Sequence, residues 1–134
     1  MEIFNAPNRE TCTVRRERSD TPLQALATLN DTQFVEAARV LAQRSLKEVC
    51  STEEARLDFM AERLLSRPLR SGEMKIARAS LNDLLASYKA APDDADDLVE
   101  VGDSKVDESI DPPTLAAYTM VANELMNLDE VLNK

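Results

Sequence analysis

Four arginine residues lie within ten positions near the start of this 134-residue chain: Arg9, Arg15, Arg16 and Arg18. Because a guanidinium group forms paired hydrogen bonds with carboxylate, phosphate or sulfate groups, these residues are a candidate anion-binding site. The alternative is structural, since the same arginines can pair with acidic residues of the chain and hold their segment in place. We favour the structural interpretation.

The residue types that usually carry catalysis are scarce. The chain has no histidine, and its two cysteines, Cys12 and Cys50, are 38 positions apart. The commonest general base and the usual nitrogen ligand of zinc and haem are therefore missing, so we expect neither a catalytic residue nor a metal or cofactor site in this chain alone. The two cysteines permit one disulfide or none, and we favour free thiols.

Negative charge is concentrated in one segment. Asp93–Asp111 contains nine acidic residues and one lysine, a net charge of −8 in a chain whose total is −9. The alternating ligands and central glycine of a calcium loop are absent, so we interpret residues 91–111 as a long, solvated acidic loop. The overall charge opposes non-specific nucleic-acid binding, and no nucleic-acid partner is expected.

The elements that position these residues are predicted to be helices. Five aromatic residues and two glycines in the whole chain favour packed helices over hairpins of strands. We predict one all-α domain over residues 1–134, a bundle of about five helices. Its parts are an extended arginine-rich arm (1–20), helices one to four (21–90), the acidic loop (91–111) and a last helix (112–130). No apolar run is long enough for a transmembrane helix.

Helix start signals set the predicted boundaries. The predicted N-terminal caps are Thr21, Asp31, Ser51, Ser71 and Asp111. The second helix, to about Val49, carries an apolar stripe, and Arg39 is predicted to lie away from it. The last helix has apolar residues on two sides, so we expect it to be the central helix of the bundle.

Short motifs along the chain also carry a family resemblance. They are Phe4–Glu10, Cys12–Arg16, Thr21–Leu26, Leu29–Asp31, Phe34–Arg39, Arg67-Pro68 with Glu73, Val101–Ser104, Leu115–Thr119, Val121–Asn123 and Leu128–Glu130. Together they resemble the planctomycete-type C-terminal domain of unknown function over almost the entire chain. That family often has tryptophan where Tyr118 stands.

The resemblance implies a context for the chain. Domains of this kind end large exported proteins that often carry a cytochrome c-like module, so a haem is expected only in upstream parts, and the parent protein is expected outside the cytoplasm, in the periplasm or at the cell surface. We therefore expect a non-catalytic structural or interaction module whose partners are those upstream domains. The alternative is anion binding, for example of sulfated polysaccharide, or a share in a catalytic site that upstream domains complete.

Overall fold

The computed structural model of the protein describes Leu26 and residues 30–132, apart from the side chains of residues 129 and 132. Within these ranges the chain forms helices and no strand, which confirms the predicted all-α bundle of about five helices. The helices are α1 (Thr32–Glu48), α2 (Glu53–Leu65), α3 (Ser71–Ala90), α4 (Pro92–Val99), α5 (Pro112–Met126) and the short α6 (Asp129–Leu132). None of these helices is long and apolar enough to cross a membrane. The predicted arm (1–20) and the start of the predicted first helix at Thr21 lie outside the described residues.

Helix α5 is the centre of the bundle, as its apolar residues on two sides predicted. It contacts each of the other five described helices. Its buried side chains are Leu115, Ala116, Ala117, Tyr118, Thr119, Val121, Ala122, Asn123 and Leu125. The three alanines let neighbouring helices approach closely, while each fully buried leucine or valine stabilises the fold by about 1.5–3 kcal/mol. The predicted start is also confirmed, because the side chain of Asp111 accepts a hydrogen bond from the backbone N of Thr114 at 3.3 Å.

Helix α1 follows its predicted cap, since Asp31 accepts a hydrogen bond from the backbone N of Gln33 at 2.8 Å. The predicted stripe is buried at Ala38, Ala42 and Ser45. Arg39, however, is fully buried, so its predicted position away from the buried face was wrong. The reason is a distant segment, the loop after α4, which returns and bonds to Arg39.

Two predicted caps were wrong by one residue. Thr52, rather than Ser51, caps α2, because its Oγ1 accepts a hydrogen bond from the backbone N of Ala55 at 3.2 Å. Arg70, rather than Ser71, precedes α3, and the backbone N of Arg70 donates to Glu73 at 2.8 Å. At the other end of the bundle α5 stops at Met126, short of the predicted residue 130, and α6 follows as a separate turn.

The prediction of an acidic loop over residues 91–111 was wrong for its first half, which forms α4. Pro92 occupies the first turn, where its missing N–H costs nothing, and acidic residues there interact favourably with the helix dipole. Ala95 and Val99 are buried on one face and Leu98 is half-buried, so the aspartates lie on the opposite, exposed side. Residues 100–111 do form a loop between helices.

Candidate functional site

The loop between α4 and α5 is bonded to a buried arginine of α1. Arg39 donates from Nη2 to the backbone O of Ser104 at 3.0 Å and to Oγ of Ser104 at 2.6 Å. Its Nε and Nη1 atoms are buried and have no hydrogen-bond partner among the residues that the structure describes. Burying a cation with unpaired donors costs free energy, so Arg39 stabilises the fold less than a fully paired arginine would.

Glu36, one turn before Arg39, binds the same loop. Its Oε1 accepts a hydrogen bond from the backbone N of Ser104 at 2.6 Å and lies 4.0 Å from Nη2 of Arg39. Hydrogen bonding to Ser104 is the main cause that lowers the pKa of the Glu36 carboxyl below its usual value. The loop approaches so closely at Gly102 that a Cβ there would lie 2.6 Å from Cδ of Glu36. We call Glu36, Arg39, Gly102 and Ser104 the α1 clamp.

A second cluster surrounds Arg67, in the link between α2 and α3. Its Nη1 and Nη2 atoms donate to the two carboxylate oxygens of Glu73 at 2.8 and 3.0 Å. Its Nε and Nη2 atoms donate to the two oxygens of Glu130 at 3.1 and 2.7 Å. The Arg67 guanidinium is the main cause that lowers the pKa of Glu73 to about 2, and it also lowers the pKa of Glu130. Arg67 therefore ties the link to both α3 and α6.

These two clusters position backbone segments and are poorly suited to proton transfer. An arginine stays protonated at neutral pH and cannot act as a general base. Glu36 and Glu73 have lowered pKa values, so they are ionised and weakly basic at that pH. In the described ranges no group of three or more histidine, cysteine or acidic residues is arranged to hold a metal ion.

The outward face of α1 borders two open clefts. The first, of about 540 Å³, lies between α1 and α2; its apolar wall includes Val40, Leu64 and Met126, and Arg44 and Arg63 also line it. We call it the apolar cleft. Val40, a large hydrophobic residue, is 38% exposed there.

The second cleft, of about 530 Å³, lies between α1 and residues 105–108, and Val40 and Arg44 line it as well. Here Lys47 of α1 forms an ion pair with Asp107. The Lys47 ammonium is the main cause that holds the pKa of Asp107 well below its usual value. This ion pair attaches the loop to α1 at a second place, beyond the α1 clamp.

The candidate anion-binding residues Arg9, Arg15, Arg16 and Arg18 all lie outside the described residues, as does Cys12. Cys50 is an exposed free thiol. Sequence reasoning gave no individual role to Glu36, Arg39 or Glu130. The available signal was their place inside the family motifs Phe34–Arg39 and Leu128–Glu130.

Comparison with known proteins gives one family. Residues 1–81 match PSD1, described as a protein of unknown function (DUF1553). The matched range includes Glu36, Arg39, Arg67 and Glu73, while their partners Ser104 and Glu130 lie beyond it. No curated protein and no solved structure matches the chain. Because the match covers more than half of its length, the chain belongs to the PSD1 family of proteins of unknown function.

Proposed function

We propose that this chain is a non-catalytic structural and interaction module that forms the C-terminal part of a larger exported protein of the planctomycete type. Its partners are the upstream domains of that protein, where a cytochrome c-like module would hold any haem. The parent protein would act outside the cytoplasm, in the periplasm or at the cell surface.

The contacts of the charged residues in the family motifs support the proposal. Glu36 and Arg39 bind the backbone and side chain of Ser104. Arg67 is shared between Glu73 and Glu130. In each case a motif residue holds a loop or a helix end against the bundle. These contacts support a structural role for the chain, in which the bundle keeps a fixed surface to which other domains can bind.

The arginine-rich segment supplies the proposed link to the upstream domains. Between Arg9 and Arg18 the local charge is +2, from four arginines and two glutamates, whereas the whole chain carries −9. Carboxylates of an upstream domain would pair with these arginines by forked hydrogen bonds. The segment would then act as a bridge between the bundle and the rest of the protein.

Hydrogen–deuterium exchange tests this bridge. The polypeptide of residues 1–134 is compared with a longer protein in which the domains that precede it in the gene are present. We expect amides of residues 1–20 to exchange more slowly in the longer protein than in the short polypeptide, while amides of the buried helix α5 are protected in both. Slow exchange of residues 1–20 already in the short polypeptide would argue against a bridge.

Binding to dextran sulfate tests the anion-binding alternative. The parent chain is compared with Arg15→Ala, Arg16→Ala and the control Arg78→Ala, which removes an exposed arginine of α3 that pairs with Glu54 at 2.6 Å. If the chain is the proposed structural module, replacing Arg15 or Arg16 with alanine should not change its binding to dextran sulfate. Salt-sensitive binding that both of these variants lose, and that the control retains, would replace the proposal with anion binding.

A further inference from the structure

We propose that the apolar cleft of α1 binds a peptide segment of a partner domain that presents an apolar side chain next to a carboxylate. This inference rests on the proposed interaction function and adds the chemistry of the partner.

The shape of the apolar cleft suits a peptide. Its lining residues on α1 run from Gln33 to Arg44. At 1.5 Å per residue these eleven steps span roughly 16 Å, the length of several peptide units. An open groove along a helix is a common binding surface for peptide segments. Val40, which is 38% exposed, gives an apolar partner side chain a contact in the middle of this length.

The charge of the apolar cleft favours an acidic partner. Arg44 and Arg63 lie 2.9 and 3.5 Å from the two carboxylate oxygens of Glu48, so two guanidinium groups share one carboxylate. Glu36 also lines the cleft, but its carboxylate already has a cationic neighbour, because its Oε1 lies 4.0 Å from Nη2 of the buried Arg39. Among the ion pairs of the described residues, one positive charge is therefore left uncompensated at the Arg44–Arg63–Glu48 group, on a chain whose net charge is −9. A partner carboxylate would compensate it.

Both arginines are already held in place. The guanidinium carbon of Arg63 lies 4.4 Å from the centre of the Phe59 ring, a cation–π contact that adds to its ion pair with Glu48. Arg44 is held through the same carboxylate one turn along α1. A side chain ordered before binding loses less conformational entropy when a ligand arrives, so these arginines are suited to recognition.

Nuclear magnetic resonance titration of the 1–134 chain tests the proposal. The first probe is acetyl-Leu-Leu-Asp-Glu-amide, which has both apolar side chains and carboxylates. The second, acetyl-Leu-Leu-Asn-Gln-amide, lacks the carboxylates, and the third, acetyl-Ser-Ser-Asp-Glu-amide, lacks the apolar side chains. We expect amide shifts that cluster at the residues lining the apolar cleft. We also expect the first peptide to bind about tenfold more tightly than either of the others, the ratio that corresponds to about 1.4 kcal/mol. Equal affinities of the three peptides, or shifts elsewhere, would overturn the inference.

Matched variants locate the binding. Val40→Asp and Arg63→Gln should each weaken binding of the first peptide by about tenfold or more. Their controls are Ile76→Asp and Arg78→Gln on α3, where Ile76 is 73% exposed and the Arg78 side chain 47% exposed. These controls should bind like the parent chain, and circular dichroism should show all four variants folded. Parent-like binding by Val40→Asp would overturn the inference. The exchange of residues 1–20 is measured with no peptide present, so failure here is distinguishable from failure of the proposed module.

Discussion

Replacing Gly102 with alanine should destabilise the protein, because this residue lets the loop close on α1. Its φ angle is 99°, in the region that side chains of L-residues rarely adopt. A Cβ at this position would lie 2.6 Å from Cδ and 2.8 Å from Cβ of Glu36. Rotating the Glu36 side chain relieves the first contact but not the second, since Cβ is fixed to the helix backbone.

The expected loss has two parts. The unfavourable φ angle costs about 1–2 kcal/mol for a residue other than glycine. Crowding in a space with no room for a methyl group costs about 1–3 kcal/mol more. Gly102→Ala should therefore lower the free energy of unfolding by about 2–5 kcal/mol, a large share of the roughly 5–15 kcal/mol that is typical of a domain.

Urea denaturation followed by far-UV circular dichroism measures this loss. Gly72→Ala is the matched control, because a Cβ at Gly72 would meet no atom of the described residues within 4 Å. Gly72 lies in the first turn of α3, where alanine should leave stability unchanged or raise it by up to about 1 kcal/mol. A Gly102→Ala protein within about 0.5 kcal/mol of the parent would refute the role assigned to this residue.

A double-mutant cycle checks the source of the crowding. Glu36→Ala removes Cδ and the carboxylate but keeps Cβ. In that background Gly102→Ala should lower the free energy of unfolding by a smaller amount, but the loss should stay above zero. The φ angle and the contact with Cβ remain in the double variant. Equal costs in the two backgrounds would mean that the new methyl group does not meet Glu36.

Three further predictions concern the buried and paired charges. The folded-state pKa of Glu73, about 2, is below its ordinary 4.5, so its stabilising effect is present above pH 4.5 and is lost as the pH falls toward 2. The urea midpoint of Glu73→Gln should therefore fall less than that of the parent across this window, and parallel losses would contradict the assignment. Arg39→Ala should lower the free energy of unfolding by about 2–5 kcal/mol and Arg39→Met by less than half as much, because methionine fills the space without unpaired donors. Equal urea-measured losses would show that the charge itself is needed. Arg67→Lys should speed hydrogen exchange in α6, because lysine cannot make forked bonds to Glu73 and Glu130; unchanged exchange would argue against this tie.

The parts of the fold that local signals determine were predictable from the sequence. Asp111 followed by proline marks the start of α5, and apolar residues on two sides of that helix predict its central position. Asp31 marks the start of α1 through its side-chain cap alone, since no proline follows it. These signals need only neighbouring residues, so they do not depend on how the rest of the chain is arranged.

Helix α4 was missed because two sequence signals disagree in this segment, the spacing of its apolar residues and its high content of aspartate. Ala95, Leu98 and Val99 have the three- and four-residue spacing of a helix face, and Pro92 is a suitable first residue. The density of aspartate favoured a solvated loop instead. Burial of the apolar face against α5 outweighs the low helix propensity of aspartate, and that burial depends on a helix that begins at residue 112.

The α1 clamp could not be predicted from the sequence, for a different reason. Arg39 and Ser104 are 65 positions apart, and periodicity along α1 contains no information about a loop so distant. Periodicity alone places a charged residue beside the apolar stripe in solvent. The motif containing Gly102 was recognised only through the family resemblance, and its physical cause is the positive φ angle and the close approach to Glu36.

The central place of α5 also has a consequence for the order of events during synthesis. Helices α1, α2 and α3 leave the ribosome before α5, yet α5 fills the space between them. Until it arrives, their apolar faces lack their main partner, and the contacts that close the core join segments far apart in sequence. However fast the bundle then folds, its core cannot close before α5 has emerged, and hydrophobic surface stays exposed meanwhile. The interval between the emergence of α1 and that of α5 is therefore the period in which the nascent chain is most vulnerable to aggregation and proteolysis.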